Sequence, residues 1–159
     1  VELRTVARRL REMDEPRTAL LFRRELRAAA APMVPAVRRS IQAIPAKTGS
    51  VRRQGGSLRA SMQRATKLYV RTSGRLTGVV IMVNGQLMPA GMRSLPAYEE
   101  GTKPRWRHPV FGHTDRWVAQ APHPYFYNTV RPMGVVARVA VGRAMSRVSE
   151  DITGGRRAF

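Results

Sequence analysis

Residues 26–45, LRAAAAPMVPAVRRSIQAIP, decide how the N-terminal third is read. Leu26, Ala30, Val34, Val37, Ile41 and Ile44 recur at intervals of three and four residues, which is one face of an α-helix. Arg23, Arg24, Arg27, Arg38 and Arg39 fall mostly off that face, where they meet solvent or a partner. Pro16 suits the first turn, where a missing N–H costs nothing, and opens this helix. Pro32 and Pro35 each remove an amide donor and predict a kink or an interruption near Ala31–Val34. Pro45 closes the segment. The expectation is a long, bent helix or two shorter ones in line.

Downstream the pattern changes. Lys47-Thr48-Gly49-Ser50 and Gly55-Gly56 frame a basic loop, about 46–57, that contains Arg52 and Arg53. Ser57 is placed to cap a short helical turn through Leu58, Ser61 and Met62. Two strand candidates follow, Thr66–Thr72 and Thr77–Val83, with a turn at Ser73-Gly74. The unbroken apolar run Val79–Val83 suits a central strand buried on both faces. Asn84-Gly85 signals a turn, and 86–97 reads as a loop. Residues 98–128 gather Tyr98, Trp106, Phe111, Trp117, Tyr125, Phe126 and Tyr127, and read as one or two short strands with ordered loops. Val135, Val136, Val139, Ala140, Val148 and Ile152 give an amphipathic helix from about Pro132 to Asp151. The tail at about 153–159 reads as flexible. The chain is therefore expected to be one α+β domain over 1–159, with about four strands between helical ends.

Composition narrows the function classes. The 159 residues carry 29 Lys and Arg against 10 Asp and Glu, a net charge of +19, and they contain no cysteine. Only Lys47, Lys67 and Lys103 are lysines. Bidentate contact with phosphate or carboxylate and a GC-rich genome are competing readings of the preference for arginine, and the second does not explain the net charge. Such a balance calls for an anionic partner, because self-repulsion otherwise opposes compactness and association. Residues 1–71 hold 17 of the basic residues against 5 acidic ones. The anionic partner could be nucleic acid, an anionic membrane surface or acidic protein faces, of which the membrane is not the one expected. No stretch approaches the length and apolarity of a membrane span. Val1–Leu10, with Arg4, Arg8 and Arg9, has no signal-peptide pattern, which predicts a soluble protein made in the cytoplasm.

Catalytic and cofactor readings are weak. Adjacent Glu99 and Glu100, taken as residues of a strand, point to opposite faces and do not converge on one substrate atom. Pairing with arginines of this or a neighbouring subunit suits them better. His108, His113 and His123 lack the cysteines or carboxylates that would complete a zinc site. Asp115 and a histidine have no nucleophile elbow beside them, and Gly49, Gly55 and Gly56 lack phosphate-loop spacing. No cofactor, metal or enzymatic activity is expected. Trp106 between Arg105 and Arg107 could stack on bases, but core and subunit contacts are the commoner use of such rings.

Several motifs together resemble the neck and tail-completion (head–tail joining) proteins of tailed bacteriophages. Ile44-Pro45-Ala46-Lys47-Thr48-Gly49, followed by Gly56-Ser57-Leu58-Arg59-Ala60-Ser61-Met62, is similar to that family's P-x-x-T-G and L-R-x-S-I signatures. Tyr98-Glu99-Glu100-Gly101-Thr102 resembles its strand end. Arg105-Trp106-Arg107-His108-Pro109-Val110-Phe111-Gly112, Trp117-Val118-Ala119-Gln120 and Pro124-Tyr125-Phe126 resemble the branch found in phages of high-GC hosts. The order holds over roughly 20–150, although Ser50–Ser57 lengthens one link and Gln86–Leu95 is inserted. The resemblance implies an α+β subunit with a long N-terminal helix, an antiparallel sheet and a C-terminal helix. It further implies a structural virion protein in a homo-oligomeric, six-fold ring at the head–tail junction. Its partners would be further copies of itself, the head-closure or connector protein and the tail terminator or tail tube. Arg23, Arg24, Arg27, Arg38, Arg39, Arg52 and Arg53 are the candidates for facing either genomic DNA in the lumen, in non-specific contact, or the acidic rims of partner rings. Glu99, Glu100, Trp106, Phe111, Trp117, Tyr125 and Phe126 would serve subunit interfaces. A free basic nucleic-acid-binding protein and a tail-terminator protein are the competing readings.

Overall fold

The computed structural model describes Arg8 and residues 16–45, 57–71, 78–110 and 113–154. The basic loop with Arg52 and Arg53, the Ser73-Gly74 turn, Phe111 and the last five residues lie outside the described residues. The chain is α+β. Its contacts divide it into two compact units, Val1–Pro35 with Leu68–Ile81 and Pro132–Phe159, and Ala36–Lys67 with Met82–Arg131.

Helix α1 (Pro16–Ala30) opens on its proline and carries Arg27 in the last turn, where a cation favours the helix dipole. The interruption falls at Ala31–Pro32. Pro32 has no N–H to offer and disfavours helical backbone at Ala31, whose own N–H still reaches Arg27 O at 2.9 Å. Helix α2 (Met33–Ala43) then restarts with Pro35 in its first turn, where the missing donor is harmless.

The first unit is centred on Phe22 and Leu26 of α1 and Val148 of helix α5 (Tyr127–Gly154), all with no exposure. Leu21, Val70, Val79, Val141 and Met145 pack around them. Glu25, 17% exposed, accepts from Arg147 Nη1 at 2.9 Å, which ties α1 to α5 within this unit.

The second unit is built on Val37, Ile41 and Ile44, continuing the α1 periodicity, with Met62, Ala65, Met88, Leu95 and Tyr125. Helix α3 (Leu58–Ala65) starts at Ser57, whose side chain accepts from Ala60 N as the sequence predicts. Thr66, buried at its end, donates its hydroxyl proton to Met62 O at 3.0 Å. Trp106, Phe126 and Val130 lean on this core from the edges.

Strands β1 (Thr66–Arg71) and β2 (Gly78–Val83) form one two-stranded antiparallel sheet. Strands β3 (Trp106–Val110) and β4 (His113–Gln120) form another, in register Trp106↔Gln120, Arg107↔Ala119 and His108↔Val118. The register shifts between Pro109 and Val110, where proline offers no ladder donor. The single sheet of about four strands is thus replaced by two pairs. Val79–Val83 is not a central strand: β1 is its one strand neighbour among the described residues, its side chains are half-buried, and Met82 is 37% exposed.

Two further expectations are corrected. Residues 86–97 are not loop throughout, nor is 98–102 a strand end. Asn84 accepts from Gln86 N to cap a 3-10 turn at Gly85–Leu87, and helix α4 spans Leu95–Glu100. Pro96 sits in the first turn of α4, and Gly101 ends it with a left-handed φ of 100°. Helix α5 begins at Tyr127 rather than Pro132, which lies inside it. Its Val135, Val136 and Val139 are exposed, while Ala144 and Val148 are buried. No helix among the described residues is long and apolar enough to cross a membrane.

Candidate functional site

The sequence directs attention to the helical arginines and to the carboxylate and aromatic segment 98–127. Arg23, Arg24 and Arg27 are exposed on α1, with Arg24 Nη2 3.6 Å from Glu25. Arg38 and Arg39 are exposed on α2. Their positions off the apolar face follow directly from the helical period. Arg38, however, is anchored within the chain. Its Nε donates to Gln63 O at 3.1 Å and its Nη2 to Thr66 O at 3.4 Å, while Gln63 Nε2 donates to Arg38 O at 2.9 Å. The guanidinium therefore satisfies carbonyls at the C-terminal end of α3, where a cation also complements the dipole.

Arg59 does the reverse. From the first turn of α3 its Nη1 donates to Gln42 O at 3.1 Å and Ile44 O at 2.9 Å, the open carbonyls at the end of α2. Two arginines thus cross-cap two consecutive helices. Composition hides this role, because both residues count equally toward the basic excess.

Glu99 and Glu100 lie on α4, not on a strand, and both turn toward the segment that leads into α5. Glu99 is 4% exposed. Its Oε1 accepts from Gln120 Nε2, and its Oε2 lies 3.3 Å from His123 Nδ1. Burial pushes the Glu99 carboxyl up from its ordinary value, partly offset by His123. Glu100 collects three backbone donors: Tyr125 N at 3.0 Å and Phe126 N at 2.7 Å on Oε2, and Tyr127 N at 2.9 Å on Oε1. Tyr127 N is the first amide of α5 and the other two lie just before it, so the carboxylate caps the entry to this helix from 27 residues away. Among the described residues of this chain their partners are backbone amides, a glutamine and a histidine rather than arginines. All four carboxylate oxygens have hydrogen-bond partners.

The aromatic residues divide by burial. Tyr125, 3% exposed, belongs to the core rather than to a free surface, and its hydroxyl donates to Pro96 O at 3.3 Å. Burial and the nearby Glu100 and Glu99 push its phenol well above the usual range. Phe126 is half-buried and meets Tyr125 and Tyr127 edge-on, with centroids 6.5 and 5.6 Å apart. Trp106 lies between Tyr98 at 5.8 Å and His108 at 5.0 Å, and Lys103 Nζ stands 5.3 Å from the Tyr98 ring centroid. The buried Trp106 Nε1 meets no acceptor among the described residues. Trp117 is 48% exposed and by register shares a hairpin face with Arg107 and Ala119. Of the interface candidates, Trp117 is the most accessible among the described residues. Among these residues no group of three or more His, Cys, Asp and Glu could hold a metal ion. Comparison of the chain with protein-family models, curated proteins and solved structures finds no match.

Proposed function

We propose that the chain is a structural subunit of a long-tailed phage particle, forming a ring at the head–tail junction that joins the connector to the tail tube and continues the DNA channel. The observation that carries this reading is the order of the motifs along most of the chain. Their use within the fold supports it. The Pro45 motif ends α2, the Leu58-Arg59 motif starts α3 and caps α2, and the Tyr98–Thr102 motif holds the first turn of α5. Ile44, Arg59 and Glu100 thus shape the subunit, which suits a protein whose work is packing.

The charge supports the same reading. Repeating +19 around a ring requires an anionic surface in or beside it. Arg23, Arg24, Arg27 and Arg39, exposed on α1 and α2, suit phosphates of lumen DNA, which such contacts bind without sequence preference. Arg52 and Arg53 are assigned the same role from sequence alone. Deleting the gene should leave filled heads and finished tails unjoined, with joining restored by the wild-type chain. Joined, infectious particles without the protein would refute the proposal.

The same exposed arginines favour one second reading, a free nucleic-acid-binding protein. That protein would bind DNA as an isolated subunit, with affinity falling steeply as salt rises. A tail-terminator protein would differ only in which layer of the junction it occupies.

A further inference from the structure

Helix α5 carries two apolar faces, and the first unit uses one. Val141, Ala144, Met145 and Val148 turn into the core at helical spacing. On the opposite side Pro132, Val135, Val139, Gly142 and Ser146 follow one another at intervals of three, four, three and four. That is the period of a helix-packing seam, and all five residues are exposed. Val135 is 59% exposed and Val139 51%. A Cβ at Gly142 would meet no atom within 4 Å, so another backbone can approach closely there.

Arg138 and Arg143, both exposed, flank the seam on either side. From the helical period Arg138 lies about 60° to one side of Val135, and Arg143 about 40° beyond Val139 on the other. Arginine on both borders disfavours a second copy aligned on this stretch, because like charges would meet across it. It favours a partner with carboxylates at the matching positions. The strip is narrow, and its two large apolar residues, Val135 and Val139, have stiff side chains that lose little freedom on burial. A membrane surface would instead select bulkier Leu, Phe or Trp.

We propose that this face of α5 docks a helix of another protein, with small apolar residues along its seam and Glu or Asp on both borders. The assignment does not depend on where in the cell or particle the protein works.

The test uses the full chain and two synthetic four-heptad peptides with Leu and Ala at the seam, one bordered by Glu and the other by Lys. Fluorescence anisotropy should show the Glu-bordered peptide binding at least tenfold more tightly, with affinity falling as salt rises. Val135→Ser/Val139→Ser and Arg138→Glu/Arg143→Glu should each weaken it by about tenfold or more with unchanged circular dichroism, since all four side chains are exposed. The assignment is overturned by equal binding of both peptides, by no binding, or by binding that neither variant alters. It is equally overturned if phosphatidylcholine–phosphatidylserine vesicles bind and the peptide does not. Self-association lost in Val135→Ser/Val139→Ser would overturn it in favour of a second copy.

Discussion

Replacing Glu100 by Ala removes one side chain and strands three backbone donors at the start of α5. Tyr125 N and Phe126 N are part-buried, while Tyr127 N is exposed and can turn to water. Leaving a buried donor unsatisfied costs about 1–3 kcal/mol, and a charged acceptor places these bonds among the stronger ones. Counting the two part-buried amides near the lower end gives about 2–4 kcal/mol, with the exposed one adding little. Loss of the anion from the helix N-terminus contributes up to about 1 kcal/mol within that range. Against a total stability of about 5–15 kcal/mol this is a large fraction. For a chain of this size it corresponds to a fall in melting temperature of roughly 5–15 °C. Urea unfolding should show the lower midpoint with an unchanged slope, and amide exchange should accelerate first at 125–130. Glu100→Gln, which keeps a neutral acceptor, should lose about half as much. A Glu100→Ala midpoint within about 0.5 kcal/mol of wild type would refute the idea that this carboxylate starts α5.

Glu99 gives the opposite pH behaviour to that of a salt-bridged acid. Its folded pKa is raised above the ordinary 4.5, so the folded state holds its proton more tightly than the unfolded state does. This group therefore adds stability as pH falls through its raised folded pKa toward the ordinary 4.5, and Glu99→Gln should remove that gain, read as a flatter pH dependence of the urea midpoint. Gly85→Ala should destabilise by about 1–3 kcal/mol in the same assay, because its Cβ would overlap the Arg93 carbonyl oxygen, which is backbone. Arg59→Met should cost about 1 kcal/mol by opening the end of α2, whereas Arg39→Met should leave stability within about 0.5 kcal/mol. If Arg39 meets phosphate, its replacement should instead lower the slope of log affinity for DNA against log salt by about 0.9.

How far the sequence discloses this fold depends on where each signal resides. The helical period from Leu26 to Ile44 is local, and so are the proline break at Pro32 and the Ser57 cap; all three are read correctly from neighbours in the chain. The class, α+β, follows from the same local patterns. Helix α4 is missed because six residues are too few to display a period. Its signals were the pairing of Pro96 near the start with Gly101 at the end, which marks a short helix. The placement of Glu99 and Glu100 depends on that helix, so the strand argument for their divergence fails with it. The start of α5 is missed for a different reason: the cap that satisfies Tyr125–Tyr127 comes from Glu100, and no local pattern reports a contact of that separation. Periodicity also identifies apolar residues on α5 without saying which of its faces meets the core, so Val135, Val136 and Val139 read as interior. Arg38 and Arg59 show the same limit in charge, since a count of arginines does not separate caps from partner-facing residues.

The head–tail proposal is tested most directly by electron microscopy of the intact particle, with density at the junction assigned by sequence. The proposal predicts a closed ring of this chain between portal and tail tube, with exposed arginines of α1 and α2 turned toward DNA. A junction fully accounted for by other chains, with this one absent from the particle, would contradict it.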